Sequence, residues 1–188
     1  MKIFISGGCK SGKSTYAEKT AVRLAGGSGA LYYAATMLPS DKEDEERIAL
    51  HRKNRAGLGF KTVEIPSDIK RLADTCATDG TVLIDSVTAL LANEMFTGGG
   101  NVNENAAGKI CDSLSEVFLK IKNVVVVSDF IYADGLLYDE FTEKYRAGLA
   151  SVDRFCAGEC DAAVEAFAGN FIIYKGKEAL DEIFNKIG

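Results

Sequence analysis

Gly7-Gly8-Cys9-Lys10-Ser11-Gly12-Lys13-Ser14 is the stretch that decides the fold of this 188-residue chain. It fits the phosphate-binding pattern G-x-x-x-x-G-K-[ST], and it lies between a short apolar run at residues 2–6 and a helical stretch at 15–24. In such a loop the backbone N–H groups and the helix N-terminus face a phosphate. The alternative is a glycine-rich turn that matches by accident, and the strand–loop–helix context favours nucleotide binding. We expect Lys13 to reach the β- and γ-phosphates and the Ser14 hydroxyl to hold Mg²⁺.

The composition is ordinary for a soluble globular protein, with 47% hydrophobic and 26% charged residues, and the length fits one domain over residues 1–188. A net charge of −5 offers no basic stripe for a nucleic acid, and no apolar run approaches the roughly 20 residues of a membrane span. The first strand runs directly into the phosphate loop, so we expect no signal peptide and a cytoplasmic location. The five cysteines contain no C-x-x-C pair, so reduced thiols are expected rather than a metal site.

Segments typical of strands and helices alternate along the chain. Strands are predicted at residues 2–6, 30–35, 61–65, 81–85, 124–127, 163–167 and 171–174, and helices at 15–24, 40–55, 67–77, 87–96, 104–120, 139–155 and 178–187. Ser40 with Glu43 predicts a capping box for the second helix, and Ser67 is the predicted cap of the third. Gly98-Gly99-Gly100 is expected to be the most flexible connection. The alternation indicates an α/β fold with a mainly parallel sheet and helices on both faces.

Asp85 lies at the carboxyl end of the apolar strand 81–85, where ligands of open α/β sheets collect. This position suits a Walker-B-type carboxylate that orients Mg²⁺ or its water ligands. The alternative is a helix N-cap for the segment that begins at Ser86, because Asp is a preferred capping residue. The phosphate loop favours the metal role.

His51 is the only histidine of the chain. Arg47, His51 and Arg55 recur every four residues and therefore share one face of the predicted helix, with Arg52 beside them. Flanking arginines disfavour the imidazolium and leave a nucleophilic ring nitrogen, and they can clamp a triphosphate. The alternative is a solvated face whose arginines pair with acidic residues one turn earlier.

The order and spacing of five motifs resemble the bifunctional adenosylcobinamide kinase / adenosylcobinamide-phosphate guanylyltransferase family of cobalamin biosynthesis. The motifs are the phosphate loop with its tandem Gly7-Gly8, Tyr33-Ala34-Ala35-Thr36, Arg47-Ile48-Ala49-Leu50-His51-Arg52-Lys53-Asn54-Arg55, Thr62-Val63-Glu64-Ile65-Pro66, and Leu83-Ile84-Asp85-Ser86-Val87-Thr88 running on to Asn93-Glu94-Met95-Phe96. The likeness is strong over residues 3–96 and continues more weakly to the end.

The resemblance implies a RecA-like P-loop NTPase fold, often a trimer, and two reactions on a corrinoid. A nucleoside triphosphate, ATP or GTP, phosphorylates the aminopropanol hydroxyl of adenosylcobinamide. GTP then transfers GMP to a histidine, matched here by His51, and on to that phosphate, releasing pyrophosphate. The implied nucleotide contacts are Gly7, Gly8, Cys9, Lys10, Ser11, Gly12, Lys13, Ser14, Ala35, Thr36, Met37, Arg52, Lys53, Asn54, Arg55, Glu64 and Asp85.

The second half of the chain departs from the family pattern. Asp129-Phe130-Ile131-Tyr132 stands where the family usually has Asn-Glu-Val-Gly, Tyr145-Arg146-Ala147 replaces Phe-Arg-Asp, and Asp153-Arg154 replaces an Asn-Gln pair. We expect these changes to leave the GTP and histidine machinery intact and to affect the corrinoid site or one of the two activities. Two other functions stay open: a single-function P-loop kinase of a small molecule, in which His51 merely lines the site, and a nucleotide-binding protein without transfer activity.

Overall fold

The computed structural model describes residues 1–27, 29–39, 41–97 and 102–185, without the side chains of Glu43, Arg47 and Asn54. In chain order the elements are β1 (Lys2–Gly7), α1 (Lys13–Ala25), β2 (Leu31–Ala35), α2 (Lys42–Arg55), β3 (Lys61–Glu64), a 3₁₀ turn (Ile69–Arg71) leading into α3 (Leu72–Thr75), β4 (Thr81–Asp85), α4 (Val87–Met95), α5 (Ala106–Lys120), β5 (Asn123–Asp129), α6 (Glu140–Glu159), β6 (Ala162–Phe167), β7 (Asn170–Lys175) and α7 (Lys177–Asn185). Among the described helices, none is long and apolar enough to cross a bilayer.

The seven described strands form one sheet in the order β3-β2-β4-β5-β1-β6-β7. Strands β1 to β6 run parallel, and β7 pairs with β6 in the antiparallel direction. The strand that enters the phosphate loop, β1, therefore lies between β5 and β6, and β4 is the next strand beyond β5. The predicted mainly parallel α/β sheet is confirmed, and the carboxyl ends of β2, β4, β5 and β1 meet at one edge.

Helices cover both faces of this sheet, as predicted. In the continuous valine run of β5, Val124 and Val126 pack against α4, α5 and α6, whereas Val125 and Val127 face the opposite layer, which contains α1 and α7. A strand buried on both faces needs apolar residues at every position rather than at alternate ones. This packing supports the edge of the sheet at which the carboxyl ends of the parallel strands meet.

Two helix starts differ from the sequence prediction. The N-cap of α2 is Asp41, whose carboxylate accepts a hydrogen bond from the Asp44 backbone N–H at 2.9 Å; the predicted capping box involves Ser40 and the Glu43 side chain, which lie outside the described part. The predicted cap at Ser67 is wrong. Asp68 precedes the 3₁₀ turn with a φ of +53°, and its N–H is bonded to the Glu94 carboxylate at 2.7 Å. This tertiary bond holds the backbone in a non-helical conformation. The predictions for residues 98–100 and 186–187 also lie outside the described part.

Candidate nucleotide-binding site

The phosphate loop is wound tightly between β1 and the N-terminus of α1. A Cβ atom on Gly7 would lie 2.5 Å from the Ala166 carbonyl oxygen of β6, so glycine is required there. Gly12 adopts a φ of +92°, a conformation that favours glycine. The Gly8 carbonyl accepts hydrogen bonds from the Ser11 N–H at 3.3 Å and from Lys13 Nζ at 3.2 Å. The first turn of α1 contains no acidic residue, so its N-terminus is suited to an anion.

A cavity of about 1220 Å³ opens beside this loop, at the carboxyl edge of the sheet. This volume exceeds the roughly 300–1,000 Å³ typical of small-ligand pockets. The structure brings together most of the residues that the sequence nominated. Those lining the cavity are Cys9, Lys10, Ser11, Gly12, Lys13, Ser14, Ala35, Met37, His51, Arg52, Arg55, Glu64 and Asp85.

Asp85 ends β4 and faces the cavity. The Tyr33 hydroxyl donates a hydrogen bond to Asp85 Oδ2 at 2.9 Å. Burial raises the pKa of the Asp85 carboxyl, and the hydrogen bond from Tyr33 opposes this shift. The alternative in which Asp85 caps α4 is wrong, because the N-cap is Ser86, whose hydroxyl accepts a hydrogen bond from the first turn of the helix. The Asp85 carboxylate is therefore not used by the helix.

The P-loop lysine contacts the carboxylate of Asp129, a residue that was not predicted to lie in the nucleotide site. Lys13 Nζ lies 2.6 Å from Oδ1 of Asp129, the last residue of β5. One of the departures after Ser128, Asp129, therefore lies within the nucleotide site, and the expectation that the GTP and histidine machinery stays intact remains a prediction. A signal was available: like Asp85, this residue ends a buried strand, and the ends of parallel strands meet at one edge.

The last residue of helix α2 is buried against α1 and β2. Arg55 is 7% exposed, and its guanidinium carbon lies 3.4 Å from the centroid of the Tyr33 ring. Its Nη1 lies 3.8 Å from Oε1 of Glu18, a buried residue of α1. Burial raises the pKa of Glu18, and the charge of Arg55 opposes this shift. His51 lies one turn before Arg55, so this anchor fixes the helix that presents the histidine to the cavity.

Two of the nominated nucleotide contacts pair with each other at the rim of the cavity. Arg52 Nη2 lies 2.7 Å from Oε1 of Glu64, and more than half of each side chain is exposed. The described partners of Arg52 and Arg55 are thus Glu64 and Glu18 rather than acidic residues one turn earlier in α2. The alternative of a solvated face does not hold for Arg55, which is buried, whereas Arg52 is exposed at the rim. The Arg47 side chain lies outside the described part.

The other nominated residues have different surroundings. Thr36 is fully buried; its hydroxyl donates to the Ser86 carbonyl at 2.7 Å, and its own carbonyl accepts from Asn93 Nδ2 at 2.8 Å. Lys53 is exposed and is not among the residues that line the cavity. The Asn54 side chain lies outside the described part. Their roles as nucleotide contacts stay predictions.

Two departures of the second half contact each other. The Tyr132 hydroxyl donates a hydrogen bond to Asp153 Oδ2 at 2.8 Å, which joins the first departure to the third. Arg146 is buried and pairs with Asp134 at 2.8 Å and with Glu143 at 2.7 Å. These contacts pack the segment before α6 onto that helix, and the first and third departures meet there through Tyr132 and Asp153.

The cavity offers oxygen ligands of the kind that Mg²⁺ prefers. The Ser14 hydroxyl and the Asp85 carboxylate both line it, and hydroxyl and carboxylate oxygens suit this hard cation. No group of three or more His, Cys, Asp or Glu side chains that could hold a metal ion occurs within the described ranges. Such a sparse set fits a cation that arrives with a nucleotide, because Mg²⁺ commonly takes its other ligands from phosphates and water.

The comparisons with known proteins agree with this geometry. The family model of cobinamide kinase / cobinamide phosphate guanyltransferase matches residues 3–173. The bifunctional adenosylcobalamin biosynthesis protein CobU of Escherichia coli is 36% identical over 103 residues, which are 54% of each chain. Its Salmonella typhimurium counterpart is 32% identical over 101 residues, which are 53% of each chain. The chain thus spans about half the length of the curated relatives it matches.

The fold is shared with a wider group of proteins. The crystal structure of a KaiC-like protein from Pyrococcus horikoshii OT3 superposes with a TM-score of 0.51 at 12% identity, over 93% of this chain and 78% of that one. At this identity the likeness concerns the fold alone. It confirms the RecA-like P-loop fold that the resemblance implied.

Proposed function

Because the chain belongs to the cobinamide kinase / cobinamide phosphate guanyltransferase family, we propose that it catalyses two successive transfers onto adenosylcobinamide. The first attaches a phosphoryl group, and the second attaches GMP to that phosphate, with His51 as the temporary carrier. The main support is that His51 and the phosphate loop line one cavity. A histidine on the surface of a helix that points elsewhere would not support a covalent intermediate.

In the first reaction the loop binds the β- and γ-phosphates of ATP or GTP, with Lys13 as their cationic partner. The aminopropanol hydroxyl attacks the γ-phosphorus; the new O–P bond forms as the bond to the β-phosphate oxygen breaks, and the hydroxyl loses its proton. Ser14 and Asp85 would hold Mg²⁺, which neutralises charge on the phosphates when bound. The protein's contribution is mainly to position and stabilise charge, since phosphoryl transfer needs little other chemistry from it.

In the second reaction a ring nitrogen of His51 attacks the α-phosphorus of GTP, and pyrophosphate leaves. The phosphate monoester made in the first reaction then attacks the same phosphorus and releases His51. Dividing one displacement into two is the usual benefit of a nucleophilic side chain. Arg52 and Arg55 line the cavity with His51 and would offset negative charge on the α-phosphate and on the departing pyrophosphate.

The test is covalent labelling of the protein by α-labelled GTP with Mg²⁺. A P–N bond to imidazole hydrolyses in acid and survives alkali, so the label should be acid-labile. His51→Gln should take up none while keeping its fold by circular dichroism. Because His51 is the only histidine, one substitution assigns the residue. Lys19→Gln, an exposed change on α1, serves as the control and should label like the wild type.

Other results select between the remaining functions. Wild type that binds GTP and phosphorylates the corrinoid but takes up no label is a single-function kinase. Binding without label and without phosphorylation indicates a nucleotide-binding protein. Label that persists on His51→Gln moves the nucleophile to another residue. The trimer implied by the family resemblance, the single domain and the cytoplasmic location stay predictions; sedimentation analysis would test the trimer.

A further inference from the structure

The carboxylate of Asp129 lies beside the place where the γ-phosphate of a bound nucleotide is expected. We propose that Asp129 is the base that accepts the proton of the corrinoid hydroxyl during phosphoryl transfer. This proposal rests on the proposed function and adds a residue to its first reaction. The resembled family usually has Asn at this position, so the role would be particular to this chain.

The position of Asp129 is fixed by the sheet. Asp129 pairs in register with Gly7, the first residue of the phosphate loop, because β5 lies parallel to β1. Its backbone N–H donates to the Thr88 hydroxyl at 2.7 Å, and the next N–H, of Phe130, donates to the Gly7 carbonyl at 3.0 Å. The lysine of a phosphate loop contacts the β- and γ-phosphates. A carboxylate oxygen 2.6 Å from Lys13 Nζ is therefore next to the phosphoryl group that is transferred.

Three strands end in an acidic residue at this edge of the sheet. The three carboxylates differ in the groups that they contact. Glu64 is held by Arg52 at the rim. Asp85 accepts a hydrogen bond from Tyr33 and is the carboxylate proposed to hold Mg²⁺. The Asp129 carboxylate has Lys13 as its only ion-pair or hydrogen-bond partner within the described residues, and about a third of the side chain is exposed. It is the carboxylate that nucleotide binding would release.

The proposed step follows from an exchange of partners. When the triphosphate binds, its oxygens take over the Lys13 ammonium, and the Asp129 carboxylate is left unpaired beside the γ-phosphorus. The incoming hydroxyl donates a hydrogen bond to it. As the O–P bond forms and the bond to the β-phosphate oxygen breaks, the hydroxyl proton moves to the carboxylate and then to solvent. A positioned base contributes about 10²–10⁴-fold to a rate, and the loose transition state of phosphoryl transfer favours the lower end.

Asp129→Asn removes the proton acceptor while its amide oxygen can still accept a hydrogen bond from Lys13, and a comparison of two rates separates a base from a residue that acts on nucleotide binding. Two rates are measured: γ-phosphoryl transfer from γ-labelled ATP to adenosylcobinamide, and labelling of His51 by α-labelled GTP without a corrinoid. We expect kcat of the first to fall about 10²-fold, with the KM for ATP and the His51 labelling rate within about threefold of wild type. Asp129→Glu should recover part of the loss, and Asp112→Asn, an exposed acid on α5, should change neither rate.

Several results would overturn the proposal. Equal losses in both rates mean that Asp129 acts on nucleotide binding through Lys13. Unchanged phosphoryl transfer in Asp129→Asn removes the residue from the reaction. If the wild type labels His51 but transfers no γ-phosphate, the proposal fails together with the kinase half of the proposed function. If it does neither, the proposed function itself fails.

Discussion

Asp153 is an acidic residue in a place that disfavours its charge. It is 4% exposed on α6, and burial raises its pKa from 3.8 to about 6, opposed by the hydrogen bond from Tyr132. The charge of Asp129 on β5 raises it further. We predict that Asp153→Asn stabilises the protein near neutral pH, because the amide keeps an oxygen for Tyr132 and brings no charge into the site.

The size and sign of the effect follow from the pKa of Asp153. Its folded-state pKa lies above the ordinary value, so the wild type is destabilised where the folded protein must hold the charge. The cost is fully present above about pH 6, falls as the pH is lowered through 6, and is gone below about pH 3.8. The difference between 3.8 and about 6 corresponds to about 3 kcal/mol. Relaxation and water penetration reduce such penalties, so we expect about 1–2 kcal/mol.

Urea unfolding of wild type and Asp153→Asn at about pH 7.5 and about pH 4 tests this linkage. The variant should be more stable at the higher pH, and its advantage should shrink by about 1–2 kcal/mol at the lower pH. Asp112→Asn removes an exposed carboxylate and should stay within about 0.5 kcal/mol of wild type at both pH values. The argument would be refuted if the difference in unfolding free energy between variant and wild type were the same at both pH values. It would also be refuted if the variant gained more stability over wild type at about pH 4 than at about pH 7.5.

Two further predictions concern the cavity. Lys13→Ala should weaken Mg²⁺-GTP binding by about 10²-fold in calorimetry, because it removes the cation of the loop and leaves Asp129 without its partner. An affinity equal to that of the wild type would contradict the assignment of the loop. Lys19→Ala, on the exposed side of α1, is the control. Asp85→Asn should slow phosphoryl transfer by about 10²-fold or more. Its melting temperature should be no lower than that of the wild type, because burial already disfavours the charge of Asp85. Full turnover with a lowered melting temperature would show a structural role instead.

The fold could be predicted in outline because its signals are local. The valine run 124–127 is typical of a strand buried on both faces, and the loop 7–14 requires a strand before it and a helix after it. The helix start predicted at Ser67 failed because a contact from a distant residue decides it: Glu94 binds the backbone of Asp68. Local propensity cannot anticipate a bond between residues 26 positions apart.

The candidate site could be predicted where a sequence motif identifies the residue. It could not be predicted where the order of strands in the sheet decides which residues meet. Lys13 and His51 were nominated from spacing and family resemblance, and they line one cavity. The partners of these groups were missed. Asp129 meets Lys13 only because β5 lies beside β1, and Glu18 meets Arg55 only because the last residue of α2 lies beside α1 and the Tyr33 ring of β2. These contacts depend on strand order, which the sequence left open.

The attachment of α2 through Arg55 has a consequence for how related sequences change over time. Arg55 covers the Tyr33 ring and lies beside the buried Glu18 carboxylate. Losing Arg55 leaves a bare ring and an uncompensated buried carboxylate, and losing Glu18 leaves an uncompensated buried guanidinium. Substitutions at positions 18 and 55 should therefore be correlated, and a relative with an uncharged residue at position 55 should also lack the acidic residue at position 18. The pair gives an evolutionary marker, readable from sequences alone, of relatives that hold the His51-bearing helix in the same way.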